Sequence, residues 1–467
     1  MSFASDLNHY NLDLMYQSSI AYQFARFALG LHYQILPENV VHQAKRCLLD
    51  ALGCAIGAYD APGRSICETV IKELGGPEEA TLFGSGLCTS ALNATLVNSF
   101  LVRYLDYNDI GGGGHNSDAI PSILAVSERE KAGGRDFITS LVISYELGAR
   151  VLESVSSRWL NKGWNKDSRV GLNMPPALGK LLGLNEKQIA NAIGICTSHS
   201  FVLGILDTHR EENTMTKNLR FGFGAYDAIL SCLLARRGFT GPIRVVEGDS
   251  GIRETIFQDE MDLERIVDFS GWRILQTEYK SMPLNGGSIG HVSATLAIVK
   301  EHDLKPEDIE AVLLKTALRE SLHTTSLTKK YPRNAETADH SAFYANAIAI
   351  KERAITPESF EPDKFADPIV LDLIEKIKVV YDPNLPTSGP QAISEITTKD
   401  GRLFRKRVDN PHGLGDDPLT DEELENKFSE MASKYMNKEQ IKEIFDTVWN
   451  LEDLNDMTKL VKLMVFM

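Results

Sequence analysis

The chain has 467 residues, too many for one compact core, so we expect two domains. Its hydrophobic fraction of 43% and charged fraction of 24% are those of an ordinary globular protein. The formal net charge of −15 argues against nucleic acid or an anionic membrane as a partner, because binding either one needs a basic surface. A small anionic substrate stays open, since a few buried cations can make a local site positive.

The N-terminal sequence and the cysteines predict a cytoplasmic protein. Met1–Tyr10 is largely polar, and polar residues interrupt the first apolar stretch, Ala21–Leu31, so neither resembles a secretory signal. No run approaches the ~20 apolar residues that a membrane helix needs. The six cysteines form no CxxC pair and lie mostly in apolar helical sequence, which predicts reduced thiols.

Helical patterns fill the first 270 residues or so. Pro37–Ala58 has a proline in its first turn and apolar residues at i, i+3 and i+4. Many such segments are apolar on most faces, which predicts helices buried in a bundle. The other predicted helices are Ala91–Leu105, Asp136–Val155, Met174–Leu182, Glu186–Thr197 and Leu219–Arg237.

The following residues mix strand and helix patterns. Arg273–Met282 alternates as a strand does, Asp308–Thr316 contains a short apolar run, and Lys376–Tyr381 predicts a short strand. Ala392–Val408 predicts a hairpin with its turn at residues 399–401.

The C-terminal sequence is helical again. A capping box at residues 420–423 opens a helix, and the amphipathic tail Glu439–Leu463 most simply packs back on the first domain. We therefore predict a mainly α protein. It has a large all-helical domain, residues 1–270 plus 409–467, and a smaller α+β lid domain, residues 271–408.

The segment RYLDYNDIGGGGHNSD at 103–118 is the least ordinary part of the sequence. Glycine loses the most chain entropy on ordering, so four in a row suit a sharp turn or a close approach to a ligand. The segment could bind substrate, hold a divalent metal ion, or form a flexible loop with solvated carboxylates. The residues available for the first two roles are Asp106, Asp109, His115 and Asp118.

The segment DTHREENTMTKNLRFGFGA at 207–225 predicts a helix that starts near Thr214 or Thr216. Lys217 and Arg220 then lie in its first turns, where cations oppose the helix dipole unless an anion is nearby. Together with the free N–H groups of the helix start they predict a carboxylate site. A solvated basic turn is the alternative.

Two histidines lie at further predicted helix starts. His291 ends YKSMPLNGGSIGH at 279–291, and His340 lies in YPRNAETADHSAFY at 331–344. A lone histidine is more often structural than catalytic, so neither pattern assigns a role by itself.

Taken together, these segments resemble the MmgE/PrpD family, which includes 2-methylcitrate dehydratases, cis-aconitate decarboxylases and an iminodisuccinate epimerase. The resemblance rests on LDYND and GHNSDA within 105–119, MTKNLRFGFGA at 215–225, the His291 turn, ADHSAFY at 338–344, and KDGR with DPLTDEELENKF near the end. It extends to LLDALGCAIGA at 48–58 and GKLLGLNEKQIANAIGI at 179–195, and so covers nearly the whole chain.

The resemblance implies a helical domain and an α+β lid with the site between them, a homodimer, and no metal or organic cofactor. The active-site positions that it implies are Asp106, His115, Lys217 and His291. Tyr331 lies near another such position, and His340 belongs to a recurrent family motif. The residues we predict to bind the substrate are Asp109, Asp118, Arg220, Tyr331 and His340.

One segment departs from the family pattern. NKGWNKDS at 161–168 has Asn165 and Lys166 where decarboxylase-like and epimerase-like members have GWH. An amide cannot transfer a proton as an imidazole does, and a lysine stays protonated unless it is desolvated. We therefore expect dehydration of 2-methylcitrate or a similar 3-hydroxy acid, as in propionate metabolism, with decarboxylation or epimerisation as the alternative.

The chemistry of such a reaction assigns roles to the predicted residues. Removing a proton next to a carboxylate builds negative charge, which Lys217 and Arg220 could offset. A β-hydroxyl leaves poorly unless protonated, so a dehydratase needs an acid opposite a base. His115, positioned by Asp106, and His291 are the predicted acid and base, in either order. A metal-dependent lyase or hydrolase and a non-catalytic tricarboxylate-binding protein are the competing functions.

Overall fold

The computed structural model describes residues 9–111, 114–155, 163–208, 210–258 and 260–466. The mainly α architecture is confirmed, with only small sheets. The helices of the first half are α1 (His9–Gln17), α2 (Ile20–Gly30), α3 (Glu38–Gly57), α4 (Pro62–Leu74), α5 (Ala91–Tyr104), α6 (Ile120–Glu130), α7 (Gly134–Ser154), α8 (Val170–Leu181), α9 (Glu186–Thr197), α10 (Arg220–Arg236) and α11 (Ile252–Thr255). The strands β1 (Ala80–Thr81) and β2 (Cys88–Thr89) pair antiparallel between α4 and α5.

Local sequence signals explain most of these boundaries. Asn185 and Gln188 form a capping box at the start of α9, and the side chain of Ser90 caps α5. Two helix starts differ from the prediction. The start predicted near Thr214 or Thr216 is a 3-10 helix, Met215–Leu219, and α10 follows it from Arg220. The start of α8 lies four residues before the predicted Met174. A short 3-10 helix, Lys166–Arg169, runs directly into α8 and extends it toward the N-terminus.

The second half contains a four-stranded sheet covered by helices. The elements are α12 (Ile289–Glu301), β3 (Ile309–Thr316), α13 (Leu318–Thr324), α14 (Leu327–Lys330), α15 (Ala335–Ala338), α16 (Ala342–Glu352), α17 (Pro368–Lys376), β4 (Ile377–Tyr381), β5 (Ala392–Thr398) and β6 (Leu403–Val408). The strand order in the sheet is β4-β3-β5-β6, with β3 parallel to β4 and antiparallel to β5. The predicted hairpin is confirmed, and Gly401 at its turn has the positive φ of 85° that favours glycine.

The predicted strand at Arg273–Met282 is wrong. The segment begins with a 3-10 turn, Arg273–Gln276, and continues without regular structure, with one isolated bridge between Glu278 and Ile110. Its alternation has another cause: Tyr279 packs into the helical core, while the next residue, Lys280, turns toward polar groups.

The C-terminal helices are α18 (Asp421–Ala432), α19 (Lys438–Trp449) and α20 (Thr458–Leu463). The predicted capping box of α18 is confirmed, since the side chains of Thr420 and Glu423 each accept the other's backbone N–H. The predicted tail helix is divided into α19 and α20. Both α18 and α19 pack on α3, so the chain returns to the first half.

Apolar side chains form two main clusters. One combines residues between 20 and 279 with residues between 419 and 464, and the other lies between 282 and 414. The domain bounds stay a prediction, which this distribution supports. All six cysteines are free thiols, as predicted. Within the described residues, no helix is both long and apolar enough to cross a membrane.

Candidate active site

Asp106 lies two residues beyond the end of α5 and is buried in the protein interior. Its φ of 46° is left-handed, a conformation that aspartate tolerates better than most residues. Arg103 and Lys280 each donate to Asp106 Oδ1 at 2.7 Å, and Lys217 Nζ lies 3.4 Å from Oδ2. Burial alone would raise the pKa of Asp106, but these three cations hold it well below its usual range. The buried carboxylate is therefore ionised.

Lys217 connects this carboxylate with the second half of the chain. Its fully buried ammonium donates to Asp339 Oδ2 at 2.8 Å as well as facing Asp106. His340 donates from Nδ1 to Asp339 Oδ1 at 2.5 Å, and the same nitrogen lies 3.6 Å from Asp106 Oδ2. We call Asp106, Lys217, Asp339 and His340 the Asp106 cluster. It lies where the two halves of the chain meet.

His115 lies beside the cluster with a defined tautomer. Its Nδ1 lies 2.7 Å from the carbonyl oxygen of Asp109, which can only accept, so Nδ1 carries the proton. Its Nε2 lies 3.8 Å from Asp106 Oδ1, and the side chain is 16% exposed. Burial, assisted by Arg103 and Lys280, lowers the pKa of His115 well below its usual range. The imidazole is neutral, with the lone pair on Nε2.

Asp109 and Asp118, both predicted to bind substrate, are fully buried in the loop that carries His115. Tyr145 and Ser117 donate from their hydroxyls to the Asp109 carboxylate, each at 2.6 Å, and burial raises its pKa to about 6. Asn108 donates to Asp118 at 2.9 Å, and burial raises the pKa of Asp118 to about 7. These contacts shape the loop. Direct contact of either carboxylate with substrate stays a prediction.

The first and last glycines of the glycine run are hydrogen-bonded to each other. Gly111 and Gly114 exchange two backbone hydrogen bonds of 3.0 Å, while Gly112 and Gly113 lie outside the described residues. A Cβ atom at Gly114 would lie 2.8 Å from Nη1 of Arg169, whose guanidinium also donates to the His115 carbonyl. The close approach predicted for this run is therefore to the protein's own arginine.

The four predicted metal ligands, Asp106, Asp109, His115 and Asp118, are directed to different partners. Two other groups in the described part of the chain have ligand atoms within 4.8 Å of one another: Asp207, His323 and His340, and Asp106, Asp339 and His340. In both groups the carboxylates already pair with Arg220 or Lys217. Such cation-rich surroundings favour an anionic ligand over a metal ion.

Arg220 begins α10 and is paired rather than free. Its Nε lies 2.6 Å from Asp167 Oδ2, and its Nη1 donates to Asp207 Oδ2 at 2.8 Å. Burial opposes the charge of Arg220, but the two carboxylates raise its pKa. The other oxygen of Asp207 lies 3.5 Å from His340 Nε2, so this ion-pair network adjoins the Asp106 cluster. Contact between Arg220 and the substrate stays a prediction.

Asn165 and Lys166, at the departure from the family pattern, have different environments. Asn165 caps the short 3-10 helix by accepting the N–H of Asp167 at 3.0 Å. Lys166 is partly buried, and burial, followed by the neighbouring Arg319 and Arg169, lowers its pKa to about 8. The desolvation that could make this lysine a proton donor is therefore present. Asn161 and Lys162 of the same segment lie outside the described residues.

His291 and Tyr331 lie apart from these contacts. His291 is fully buried on α12, where its Nδ1 accepts from Asn346 at 2.8 Å and burial lowers its pKa to about 4. Hydrogen bonds and ion pairs among the described residues do not connect it with the Asp106 cluster. Tyr331 is 42% exposed, with the Lys330 ammonium 5.2 Å from its ring centre. Both assignments stay predictions.

The structure adds four residues that sequence reasoning missed. Lys280 pairs with Asp106 and Asp339 pairs with Lys217, and both lie inside segments that the sequence had already singled out. The ring of His323 lies 5.2 Å from that of His340 in an edge-on arrangement. Lys329 is fully buried without a hydrogen-bond partner. Nothing in the sequence separates Lys329 from an ordinary surface lysine.

Comparisons with known proteins identify the family. The N-terminal domain model of MmgE/PrpD matches residues 22–264, and the C-terminal domain model matches residues 282–451. A cis-aconitate decarboxylase of Mus musculus is 26% identical, covering 96% of this chain and 94% of the relative. An alkylcitrate dehydratase of a fungal species is 26% identical, covering 89% of this chain and 88% of the relative. A 2-methylcitrate dehydratase of Salmonella typhi is 25% identical over 76% of each.

Proposed function

Since the chain belongs to the MmgE/PrpD family, we propose that it is a lyase acting on a citrate-like tricarboxylic acid, and that it dehydrates a 3-hydroxy acid such as 2-methylcitrate. The observation that carries the proposal is the neutral His115 imidazole beside the Asp106 cluster. Its Nε2 lone pair lies 3.8 Å from Asp106, the carboxylate on which Arg103, Lys280 and Lys217 converge. A free base beside buried cations is what proton removal next to a carboxylate requires.

His115 is the base in this proposal. Because Nδ1 donates to the Asp109 carbonyl, Nε2 is the nitrogen that can take a proton from carbon. A lowered pKa keeps that nitrogen unprotonated throughout the neutral range. Asp106, 3.8 Å away, stabilises the imidazolium that forms when the proton is transferred.

Lys217 offsets the charge that develops on the substrate carboxylate. An ammonium has three donors, and the carboxylates of Asp106 and Asp339 account for two of them. The third is available to a substrate oxygen. The two aspartates fix the ammonium in position, so that it needs no rearrangement as charge develops.

Lys166 is the acid in this proposal. As the C–O bond breaks, its ammonium gives a proton to the departing hydroxyl, which leaves as water. Its pKa of about 8 keeps it protonated at neutral pH and close to the value that favours proton transfer. A lysine one residue beyond the usual family position thus takes the part of the missing histidine.

Decarboxylation is the second candidate. The observation that favours it is the similarity to cis-aconitate decarboxylases, which covers 96% of this chain for the proteins of Mus musculus and Homo sapiens. Loss of CO₂ from cis-aconitate leaves a carbanion that must be protonated. Lys166, the proton donor of the dehydration, is the residue that would supply this proton.

The test supplies 2-methylcitrate, citrate and cis-aconitate separately to the purified protein and follows products by NMR. Dehydration forms an unsaturated tricarboxylate from a hydroxy acid, whereas decarboxylation forms itaconate and CO₂ from cis-aconitate. Itaconate without any hydration or dehydration product would overturn the dehydratase assignment. A His115→Gln variant of normal fold should lose about 10²- to 10⁴-fold in kcat. Binding of all three acids without turnover would favour a non-catalytic protein.

A further inference from the structure

Lys329 differs from every other fully or nearly fully buried cation in the described part of the chain. The others each have hydrogen-bond partners: Lys45, Arg103, Arg150, Arg169, Lys217, Arg220, Lys280 and Lys427. Lys329 is 0% exposed and its Nζ has none. Burying an ammonium without a partner is among the most costly arrangements in a protein. Such an amine must either lose its proton or be matched by an anion that binds from outside the folded chain.

The position of Lys329 connects it with the candidate active site. It lies on α14, which packs against α16, the helix that begins directly after Asp339 and His340. Burial lowers the pKa of Lys329 to about 8, while the charges of Asp207 and Asp339 act in the other direction. The ring of His323 on α13 lies 5.2 Å from that of His340, and burial, followed by the charge of Lys329, lowers the pKa of His323. Lys329 therefore belongs to the lid side of the same site.

Lys217 and Arg220, the two cations that the sequence singled out, already have carboxylate partners within the protein. Lys217 faces Asp106 and Asp339, and Arg220 faces Asp167 and Asp207. A tricarboxylate brings three negative charges to the site and needs cations that have no carboxylate of their own. Of the fully buried cations described, Lys329 meets that requirement.

We propose that Lys329 binds one carboxylate of the substrate from the lid side, as a specificity-determining residue separate from Lys217. The inference rests on the proposed function, because it takes the substrate to be a tricarboxylate. Lys329 makes no covalent bond and transfers no proton; its ammonium donates to the carboxylate. A substrate that lacks this carboxylate would leave the buried ammonium unpaired and would bind more weakly, which is how the site would select its substrate.

The first test measures binding by calorimetry with three unreactive probes. Tricarballylate has all three carboxylates, glutarate lacks the central one, and 2-methylsuccinate lacks a terminal one. Lys329→Met should weaken tricarballylate binding by about 10- to 100-fold, the range expected for a charged hydrogen bond. The dicarboxylate that lacks the Lys329-bound group should bind equally to both proteins. An unchanged affinity for tricarballylate, or an equal loss for all three probes, would overturn the inference.

A second measurement separates a binding role from a structural one. Methionine has nearly the shape of lysine and no charge, so Lys329→Met should melt at the same or a higher temperature than the wild type without ligand. A lower melting temperature would show that the amine supports the fold and would overturn the inference. The control is Lys376→Met, which removes an ion pair with the exposed Asp372 and should leave binding of all probes unchanged.

The outcomes also distinguish this inference from the proposed function. If the wild type does not bind tricarballylate, the substrate class is wrong and both proposals fall. If the wild type binds it and turns over a citrate-like acid, but Lys329→Met has an unchanged KM, the inference alone falls.

Discussion

Asp106→Asn removes one charge from the centre of the site while changing little else. Asparagine has almost the same shape as aspartate and tolerates the left-handed backbone found here, with its φ of 46°. The carbonyl of the new amide can still accept one hydrogen bond. The substitution therefore tests how much the ionised carboxylate contributes to holding Arg103, Lys280 and Lys217 in the interior.

The expected loss of stability follows from the partners that remain. Lys217 keeps Asp339, Arg103 keeps Asn108, and Lys280 keeps the carbonyl of Leu284. Breaking a buried ion pair typically costs about 3–5 kcal/mol. Because each cation retains an acceptor, we expect a loss at the lower end of this range, about 3 kcal/mol in the free energy of unfolding at pH 7. Turnover should also fall, since Asp106 holds Lys217 and faces His115.

The measurement is urea unfolding monitored by circular dichroism, with Asp303→Asn as the matched control. Asp303 also has a left-handed backbone, with a φ of 47°, and pairs with Lys305 and Arg353, but its side chain is 74% exposed. Its substitution should change stability little, because solvent screens exposed pairs. Similar effects of the two substitutions would refute the reasoning.

The pH dependence adds a second check on Asp106. The three cations depress its pKa in the folded protein, so its stabilisation is present above the unfolded pKa of about 3.9 and is lost as pH falls through the folded value. The difference in stability between wild type and Asp106→Asn should therefore be full at pH 7 and shrink below about pH 4. A difference that grows in acid would contradict the assignment.

Two further predictions concern Lys166 and Lys427. Lys166 can act as an acid only while it is protonated, so kcat/KM should fall as pH rises through about 8. Lys166→Arg should abolish this fall at alkaline pH. A variant with the same alkaline pH profile as the wild type would rule the role out. Lys427 of α18 donates to Asp50 at 2.7 Å and to the carbonyls of Tyr107 and Lys280, so Lys427→Met should cost about 3–5 kcal/mol of unfolding free energy in a denaturant titration. The control is Lys434→Met, which removes an exposed ion pair and should lower the free energy of unfolding by no more than about 1 kcal/mol. Equal losses for the two substitutions would show that Lys427 does not anchor α18 to the site.

The sequence by itself determined the elements whose signals are local. The 3.6-residue apolar period predicted α3, α5, α7 and α9 to within two residues, and the end of α10 to within one. The capping box at Thr420 and the turn at Gly401 were likewise predicted, because a cap and a tight turn are formed by neighbours in the chain. Motif resemblance singled out Asp106, His115, Lys217 and His340, which the fold brings close together.

Only the tertiary structure decided the partners and protonation of these residues. Lys217 meets Asp339 across 122 positions of sequence, and Lys280 meets Asp106 across 174. No local pattern encodes such pairs, which is why the alternation that leads into Lys280 was mistaken for a strand. The tautomer of His115 and the missing partner of Lys329 are set by groups that approach from other elements. Charge state depends on burial and neighbouring charges, and those exist only once the chain has folded.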